Sequence, residues 1–170
     1  YVYPDTLQTI VSSFQCSPNV ITVGNYANDS GYVNNLGGWT PAPGETRGKL
    51  AATSSKGPTR TGLIKPELAA SGAVTNSAFP LSGINYFVTN SLDSLLAIGG
   101  MHYRNGGTSM SSPVVAGVAA LFLEQCPKAG SSDFNTALIN AAYTDSLTGA
   151  VPNNAFGYGK LDGFETLMNA

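Results

Sequence analysis

One stretch constrains the fold of this 170-residue chain more than any other. Residues 105–113 (NGGTSMSSP) form a small, polar segment that runs directly into the apolar residues 114–123 (VVAGVAALFL). The pattern predicts a loop followed by a helix, with Ser109 at their junction and Pro113 in the first helical turn. Small neighbours allow another backbone to approach the Ser109 hydroxyl, and helix N-terminal amides favour negative charge there. Because the apolar segment has no polar side, we expect the helix to be buried in a sizeable protein.

The same stretch carries a family motif. Residues 107–113 (GTSMSSP) resemble the nucleophile motif of the subtilisin-like serine proteases (subtilases), G-T-S-M-[AS]-[SA]-P. Three other segments resemble this family in the same order along the chain. They are residues 18–25 (PNVITVGN), residues 51–72 with GPT and KPELAASG, and the closing residues 156–165 (FGYGKLDGFE). Asn25 stands where the family often has alanine, and Ser71 where it usually has proline.

The resemblance implies an α/β fold for the whole chain. Residues 1–170 would be the C-terminal half of one doubly wound, mainly parallel-sheet catalytic domain, with a buried central helix after the nucleophile. The residue pattern predicts core strands at 19–24 and 68–70, small strands at 86–88 and 95–98, and a hairpin near Trp39. Ser131, Ser132 and Asp133 predict the start of a second helix, and Asp162 that of a terminal helix. Near the N-terminus, Leu7, Ile10, Val11 and Phe14 have a spacing that fits a short helix.

A serine hydroxyl is a weak nucleophile until a base takes its proton and a third group orients that base. In subtilases these groups follow the chain order Asp, His, Ser. The resemblance implies that Ser109 is the catalytic nucleophile of a serine endopeptidase that acts on proteins or peptides through an acyl-enzyme. It also implies that the Asp, the His and the oxyanion Asn belong to an N-terminal half, expected here as a separate chain. The enzyme would then be active only when both halves assemble.

The chain's own titratable residues leave a second interpretation open. His102 is the only histidine, and it precedes Ser109 by seven residues, so a folded-back loop could make it a replacement base. The candidate acids are Asp93, Asp133, Asp145 and Asp162, which we expect to be caps and turn formers. Two other functions therefore remain: a small esterase using Ser109 and His102, and a catalytically inactive subtilase-like module that binds a peptide or a partner.

The low charge of the chain limits the classes of molecule that it is expected to bind. The net charge is -2 and 11% of residues are charged, which does not favour nucleic acid or an anionic membrane as a partner. The low charge and the many small polar residues favour a secreted protein. Cys16 and Cys126 would form either one disulfide or two unpaired thiols.

Two weaker matches concern ligands and specificity. No cofactor is expected. The family often binds calcium, and the oxygens of Asn25, Asn28 and Asp29 would make only a weak site, because a single carboxylate stands among neutral groups. Tyr3-Pro4 resembles the pair in a loop that forms one wall of the family's primary specificity pocket.

Overall fold

The computed structural model describes residues 11–170, so the Tyr3-Pro4 match and the predicted helical residues Leu7 and Ile10 lie outside the described residues. The strands are β1 (Val23–Tyr26), β2 (Gly31–Val33), β3 (Trp39–Pro41), β4 (Leu68–Ser71), β5 (Thr75–Ala78) and β6 (His102–Asn105). The helices are α1 (Leu81–Thr89), α2 (Thr108–Gln125), α3 (Ser131–Ala141) and α4 (Gly163–Met168). Short 3-10 turns cover Ser13–Cys16 and Asp93–Leu95.

The centre of the fold is the parallel pair β1–β4, in which Val23 lies opposite Leu68 and Tyr26 opposite Ser71. Leu68, Ala69 and Ala70 are completely buried, as expected for a parallel strand covered on both faces. The pairs β2–β3 and β5–β6 are antiparallel. The α/β prediction is confirmed, and β4 and the hairpin at Trp39 are where the sequence placed them. The first core strand begins at Val23 rather than at Asn19.

Helices α2, α3 and α4 pack together against this pair. Their shared core cluster contains residues from both strands and from α2 and α3: Val23, Leu68, Ala70, Val115, Phe122, Phe134, Ala137 and Leu138. The Phe122 and Phe134 rings lie 5.3 Å apart and join α2 to α3. Asp162 begins α4 as predicted, because its carboxylate accepts the Glu165 amide hydrogen at 2.9 Å.

Helix α2 is confirmed, but its predicted burial is met on one side only. Its fully buried residues are Ser111, Val115 and Phe122, whereas Val114, Leu121 and Leu123 are 40%, 51% and 44% exposed. The helix is apolar all round, and β1, β4 and α4 cover only one side of it. None of the helices in residues 11–170 combines the length and apolarity that a membrane span requires.

The predicted position of Pro113 is wrong. Helix α2 begins at Thr108, so Pro113 is its sixth residue and lies in the second turn. A residue at this position would normally donate its N–H to the carbonyl of Ser109, four residues earlier. Proline has no N–H, so that carbonyl lacks its usual helical partner.

The small strand predicted at 86–88 is wrong, and the one predicted at 95–98 is present only as two isolated bridges. Residues 86–88 belong to α1, Leu95 ends a 3-10 turn, and Leu96 and Ala97 each form a single antiparallel bridge. Short apolar runs do not distinguish a strand from one face of a helix, and here packing decided. Phe87 of α1 lies 5.2 Å from Phe79 and 5.6 Å from Tyr103, ring to ring, so the helix packs against the antiparallel β5–β6 pair.

The two cysteines are free thiols, which decides against the disulfide. Cys16 ends the first 3-10 turn, and Cys126 follows the last residue of α2.

A buried ion pair fixes the start of the parallel pair. Lys65, 1% exposed, donates to a Glu67 carboxylate oxygen and to the Val20 carbonyl, and the other Glu67 oxygen accepts the Thr22 amide hydrogen at 2.7 Å. We predict that Glu67→Gln lowers the free energy of unfolding by about 3–5 kcal/mol, because it leaves the Lys65 charge buried without a counter-ion. Chemical denaturation of the protein that contains this chain measures the loss. The exposed Lys128→Met is the control and should stay within about 0.5 kcal/mol.

A second ion pair makes stability depend on pH. The buried Lys160 ammonium donates to Asp145 at 2.6 Å, and this hydrogen bond is the main cause of a lowered Asp145 pKa. We predict that Asp145→Asn costs about 1–2 kcal/mol at neutral pH, less than a fully buried pair would, because 37% of the Asp145 side chain is exposed.

A carboxyl with a lowered pKa stabilises the fold above its unfolded pKa of about 4, and this contribution disappears as the pH falls through the lowered folded value. Unfolding measured from neutral to acid pH should therefore show the wild type and Asp145→Asn converging at low pH. A constant difference across that range would contradict the ion-pair explanation.

Candidate functional site

Ser109 is the second residue of α2 and is exposed to solvent. Gly107 precedes the helix with a φ of 138°, a conformation that favours glycine, and its carbonyl accepts the amide hydrogens of Met110 and Ser111 at 2.9 and 3.4 Å. The amides of Thr108 and Ser109 donate to no carbonyl of the described residues. The hydroxyl of Ser109 therefore stands beside unpaired helix N-terminal amides, where a developing negative charge would be stabilised.

The strand-to-helix connection places this turn beyond the carboxyl ends of β1 and β4. The Gly107 amide donates to the Gly72 carbonyl at 2.9 Å, and Gly72 is the residue after β4. In open α/β sheets, ligands bind outside the carboxyl ends of the strands. Ser109 therefore lies at the edge where such a fold places its chemistry.

Ser111 fixes the helix to the sheet. Its side chain is fully buried, and its hydroxyl lies 3.0 Å from the Asn25 side-chain oxygen and 3.1 Å from the Ala70 carbonyl. Both partners belong to the parallel pair, one on β1 and one on β4. Because Ser111 is two residues after Ser109, these contacts set the position of the nucleophile turn. The sequence contained a signal for this contact, since Asn25 departs from the family's usual alanine, but the partner was not inferred.

Two glycines allow the close approach. A Cβ at Gly72 would lie 2.3 Å from the Ser111 hydroxyl, and a Cβ at Gly106 would lie 2.2 Å from the Ala73 carbonyl oxygen. Both distances are far inside van der Waals contact. The nucleophile loop can therefore lie against the end of β4 only because these two positions have no side chain.

The structure does not bring His102 to Ser109. His102 is exposed and begins β6, three residues before the strand ends at Asn105. With a rise of about 3.3 Å per residue, this strand carries the chain about 10 Å from His102 before the nucleophile loop begins. No hydrogen bond joins the two side chains in the described part of the chain. This placement does not favour the interpretation in which His102 is the base for Ser109.

The candidate acids are structural, as expected. Asp133 accepts the Gly130 amide hydrogen at 2.8 Å at the start of α3, and Asp162 caps α4. Asp145 forms a turn with Leu147 and Thr148 and pairs with Lys160. Asp93 opens a 3-10 turn. Each of these carboxylates thus has a position outside the Ser109 turn.

Each of the candidate calcium ligands accepts a hydrogen bond from a different protein donor. Asn25 faces Ser111, Asn28 accepts the Val74 amide hydrogen at 3.2 Å, and Asp29 accepts the Ser30 amide hydrogen at 2.7 Å. Among residues 11–170, no group of three or more His, Cys, Asp or Glu side chains could hold a metal ion. Calcium binding stays an untested prediction, and these three oxygens already have protein donors.

A polar cleft that the sequence did not reveal lies next to the nucleophile loop. It has a volume of about 240 Å³ and is lined by Asn25, Glu45, Thr53, Ala73 and residues 103–107. Arg104 enters it from β6, with one guanidinium nitrogen donating to the Ala73 carbonyl at 3.1 Å. Glu45 and Thr53 come from the polar region between β3 and β4, far from Arg104 in sequence, so no sequence pattern could have joined them.

An exposed serine at a helix N-terminus, beyond the carboxyl ends of parallel strands and beside unpaired amides, has the arrangement that a serine nucleophile in an α/β domain requires. Comparison with known proteins gives the family. A sequence profile of the subtilase family (peptidase S8) matches residues 3–159. The chain belongs to the subtilase family.

Relatives agree with this assignment. The chain is 33% identical over 104 residues to "Serine protease AprX" and 33% identical over 125 residues to "Minor extracellular protease Vpr", both from Bacillus subtilis. The matched parts are 61% and 72% of this chain, but only 22% and 14% of those proteins. The chain therefore spans less than a quarter of each of these relatives.

Solved structures confirm the predicted subtilisin-like fold. The CspB protease of Clostridium perfringens superposes with a TM-score of 0.57 and 26% identity over 88% of this chain and 27% of its own. Fervidolysin from Fervidobacterium pennivorans, described as related to subtilisin, gives a TM-score of 0.56 over 89% of this chain and 19% of its own, at 24% identity. These matches show which fold the two parallel strands and the helices of this chain belong to.

The close packing at Gly72 can be tested. We predict that Gly72→Ala slows covalent labelling of Ser109 by a serine-reactive phosphonate at least about tenfold in the protein that contains this chain. The added methyl group would collide with Ser111 and displace the nucleophile turn, and small misplacements of reacting groups cost large factors in rate. Gly130→Ala is the matched control, because a Cβ there would meet its nearest atom at an ordinary 3.7 Å. Equal labelling of both variants would show that Ser111 does not position Ser109.

Proposed function

We propose that this chain supplies the nucleophile, Ser109, of a serine endopeptidase. The observation that carries the proposal is the exposed Ser109 hydroxyl in the first turn of α2, beside two unpaired amides and held by the buried Ser111 contacts. Family membership supports peptide bonds as the substrate. Two relatives are named as serine or extracellular proteases, and a third, 31% identical over 123 residues, is named "Bacillopeptidase F".

The chemistry assigned to this chain is acyl transfer. The Ser109 hydroxyl oxygen attacks the carbonyl carbon of the substrate peptide bond while its proton passes to a base. The oxygen of the tetrahedral intermediate becomes negative and accepts a hydrogen bond from the Ser109 amide. The base then gives the proton to the departing amine, and the C–N bond breaks to leave an acyl-enzyme. Water hydrolyses the ester in the same way and restores the serine.

The base and the group that orients it are proposed to lie outside this sequence. The one histidine of the chain is exposed and separated from Ser109 by most of β6, and the candidate acids have structural positions. By family resemblance, the missing Asp, His and oxyanion Asn come from the preceding half of the domain. The exposed apolar side of α2, with Val114, Leu121 and Leu123, is the surface that such a half would cover.

A separate N-terminal chain, secretion and structural calcium stay predictions. The extracellular prediction rests on the low charge of the chain and on the name of the Vpr relative. Protein or peptide substrates are proposed without a side-chain preference, and no cofactor, nucleic acid or membrane partner is proposed. Intact-mass analysis of the native preparation would show whether a second polypeptide travels with this one.

A phosphonate probe tests the nucleophile. We predict that Ser109 in the protease that contains this chain forms a covalent adduct, and that Ser109→Ala abolishes both the adduct and peptide hydrolysis. Ser112→Ala is the matched control, since Ser112 is exposed on the same turn of α2. Peptide mapping of the adduct identifies the labelled residue.

The same probe separates the alternatives. The proposal expects labelling that His102→Ala leaves unchanged and that requires the preceding half of the domain. Labelling of this chain by itself, abolished by His102→Ala, would instead establish the small esterase. A well-folded protease that takes no label under either condition would establish the inactive binding module.

A further inference from the structure

We propose that Arg104 is a specificity-determining residue that binds a substrate carboxylate beside the scissile bond. The proposal rests on the endopeptidase function proposed above and adds a substrate class to it. The carboxylate is either an acidic side chain within two residues of the scissile bond or the terminal carboxylate of a short peptide.

The first observation is which of the basic side chains have ion-pair partners. The chain has eight Lys and Arg residues, and all lie within the described residues. Five are exposed: Arg47, Lys49, Lys56, Arg60 and Lys128. Of the three that are at least partly buried, Lys65 pairs with Glu67 and Lys160 pairs with Asp145. Arg104 alone among these three has no ion-pair partner in residues 11–170.

The surroundings of the Arg104 guanidinium also leave part of its hydrogen-bonding capacity unused. One of its terminal nitrogens donates to the Ala73 carbonyl, which holds the group in place against the end of β4. Its Nε is shielded from solvent and has no acceptor among the described residues. A partly buried charge without a partner is costly, and the terminal nitrogens of a guanidinium can donate charge-assisted hydrogen bonds to a carboxylate. The side chain is therefore prepared for an anion that this chain does not supply.

The second observation is the place of the cleft that Arg104 lines. Residues 103–107 form one wall, so the wall ends two residues before Ser109. Two residues span at most about 7 Å, which places the near end of the cleft within about 7 Å of the Ser109 Cα. An extended substrate advances about 3.3 Å per residue. A side chain one or two residues from the scissile bond therefore reaches the cleft.

The rest of the lining makes the cleft selective. Asn25, Thr53 and Asn105 contribute polar groups, so the cleft offers little to an apolar side chain. Glu45 also lines it and forms no ion pair with Arg104 within 4.0 Å, so its carboxylate would weaken the attraction for an incoming anion without neutralising the arginine. The removal of Glu45 should strengthen carboxylate binding.

The experiment measures kcat/KM of the protease that contains this chain. One set of peptides is blocked at both ends and differs by Glu against Gln at each position within two residues of the cleaved bond. A second set contains no acidic residue and compares a free terminal carboxylate with an amide. We expect the carboxylate peptide to be favoured about tenfold at one position, mainly through KM, as charge-assisted hydrogen bonds allow. The set in which this occurs identifies the source of the carboxylate.

Variants then assign the effect. Arg104→Gln should reduce the preference to about one, Arg104→Lys should keep part of it, and the exposed Arg60→Gln should leave it unchanged. Glu45→Gln should increase the preference about two- to fivefold, and it retains Arg104 in case Arg104→Gln does not fold. Equal cleavage of charged and neutral peptides would overturn the proposal. This is also the result expected if another part of the protease neutralises Arg104. A preference that survives in Arg104→Gln, or that Glu45→Gln does not raise, would also overturn it.

The outcome is distinguishable from a failure of the proposed function. Phosphonate labelling of Ser109 and cleavage of the neutral peptides report the nucleophile, whereas the ratio of charged to neutral peptides reports Arg104. If Ser109 takes the label and the neutral peptides are cleaved, but no carboxylate preference is measured, then the endopeptidase function stands and only the role of Arg104 is refuted.

Discussion

The structure depends on the contact between the buried Ser111 hydroxyl and the end of the parallel pair. Ser111 lies 3.0 Å from Asn25 on β1 and 3.1 Å from Ala70 on β4, so one side chain joins the first turn of α2 to both strands. Gly72 makes this approach possible, because a Cβ there would be 2.3 Å from the hydroxyl. A polar group in this position must be satisfied, and the geometry that satisfies it also fixes Ser109 two residues away. The same hydrogen bonds therefore serve the core and the site.

Much of the fold could be predicted from the sequence, because local patterns and core packing agree there. The apolar run after Ser109 predicted α2, and Ala69 and Ala70 predicted a buried strand. Prediction failed where short apolar runs have two packing solutions, as at Phe87, whose ring faces Phe79 and Tyr103 from a helix rather than from a strand. The burial of α2 was overestimated for a different reason. A helix that is apolar on all sides is expected to be buried on all sides. The exposure of Val114 and Leu121 shows that residues 11–170 pack against only one side of it.

The candidate site also has a part that the sequence predicts and a part that only the fold reveals. Ser109 could be found from the motif, because glycine, serine and the following apolar run are contiguous. The residues that surround it come from distant parts of the chain. Asn25 is 86 positions from Ser111, and Glu45 is 59 positions (104 minus 45) from Arg104. Only the fold brings such residues together. Asn25 departs from the family pattern, and its residue type suggests a weak calcium ligand, whereas its oxygen faces the Ser111 hydroxyl.

The aromatic cluster of Phe79, Phe87 and Tyr103 has a consequence for how members of this family could diversify. Helix α1 packs through Phe87 against the β5–β6 pair, and β6 ends just before the nucleophile loop. Tyr103 belongs both to the aromatic cluster and to the wall of the Arg104 cleft. Substitutions on α1 can therefore change the shape of the cleft through Tyr103 while Ser109 and Ser111 keep their positions. The shape of the cleft and the position of Ser109 could then change independently, the first through helix α1 and the second through the sheet.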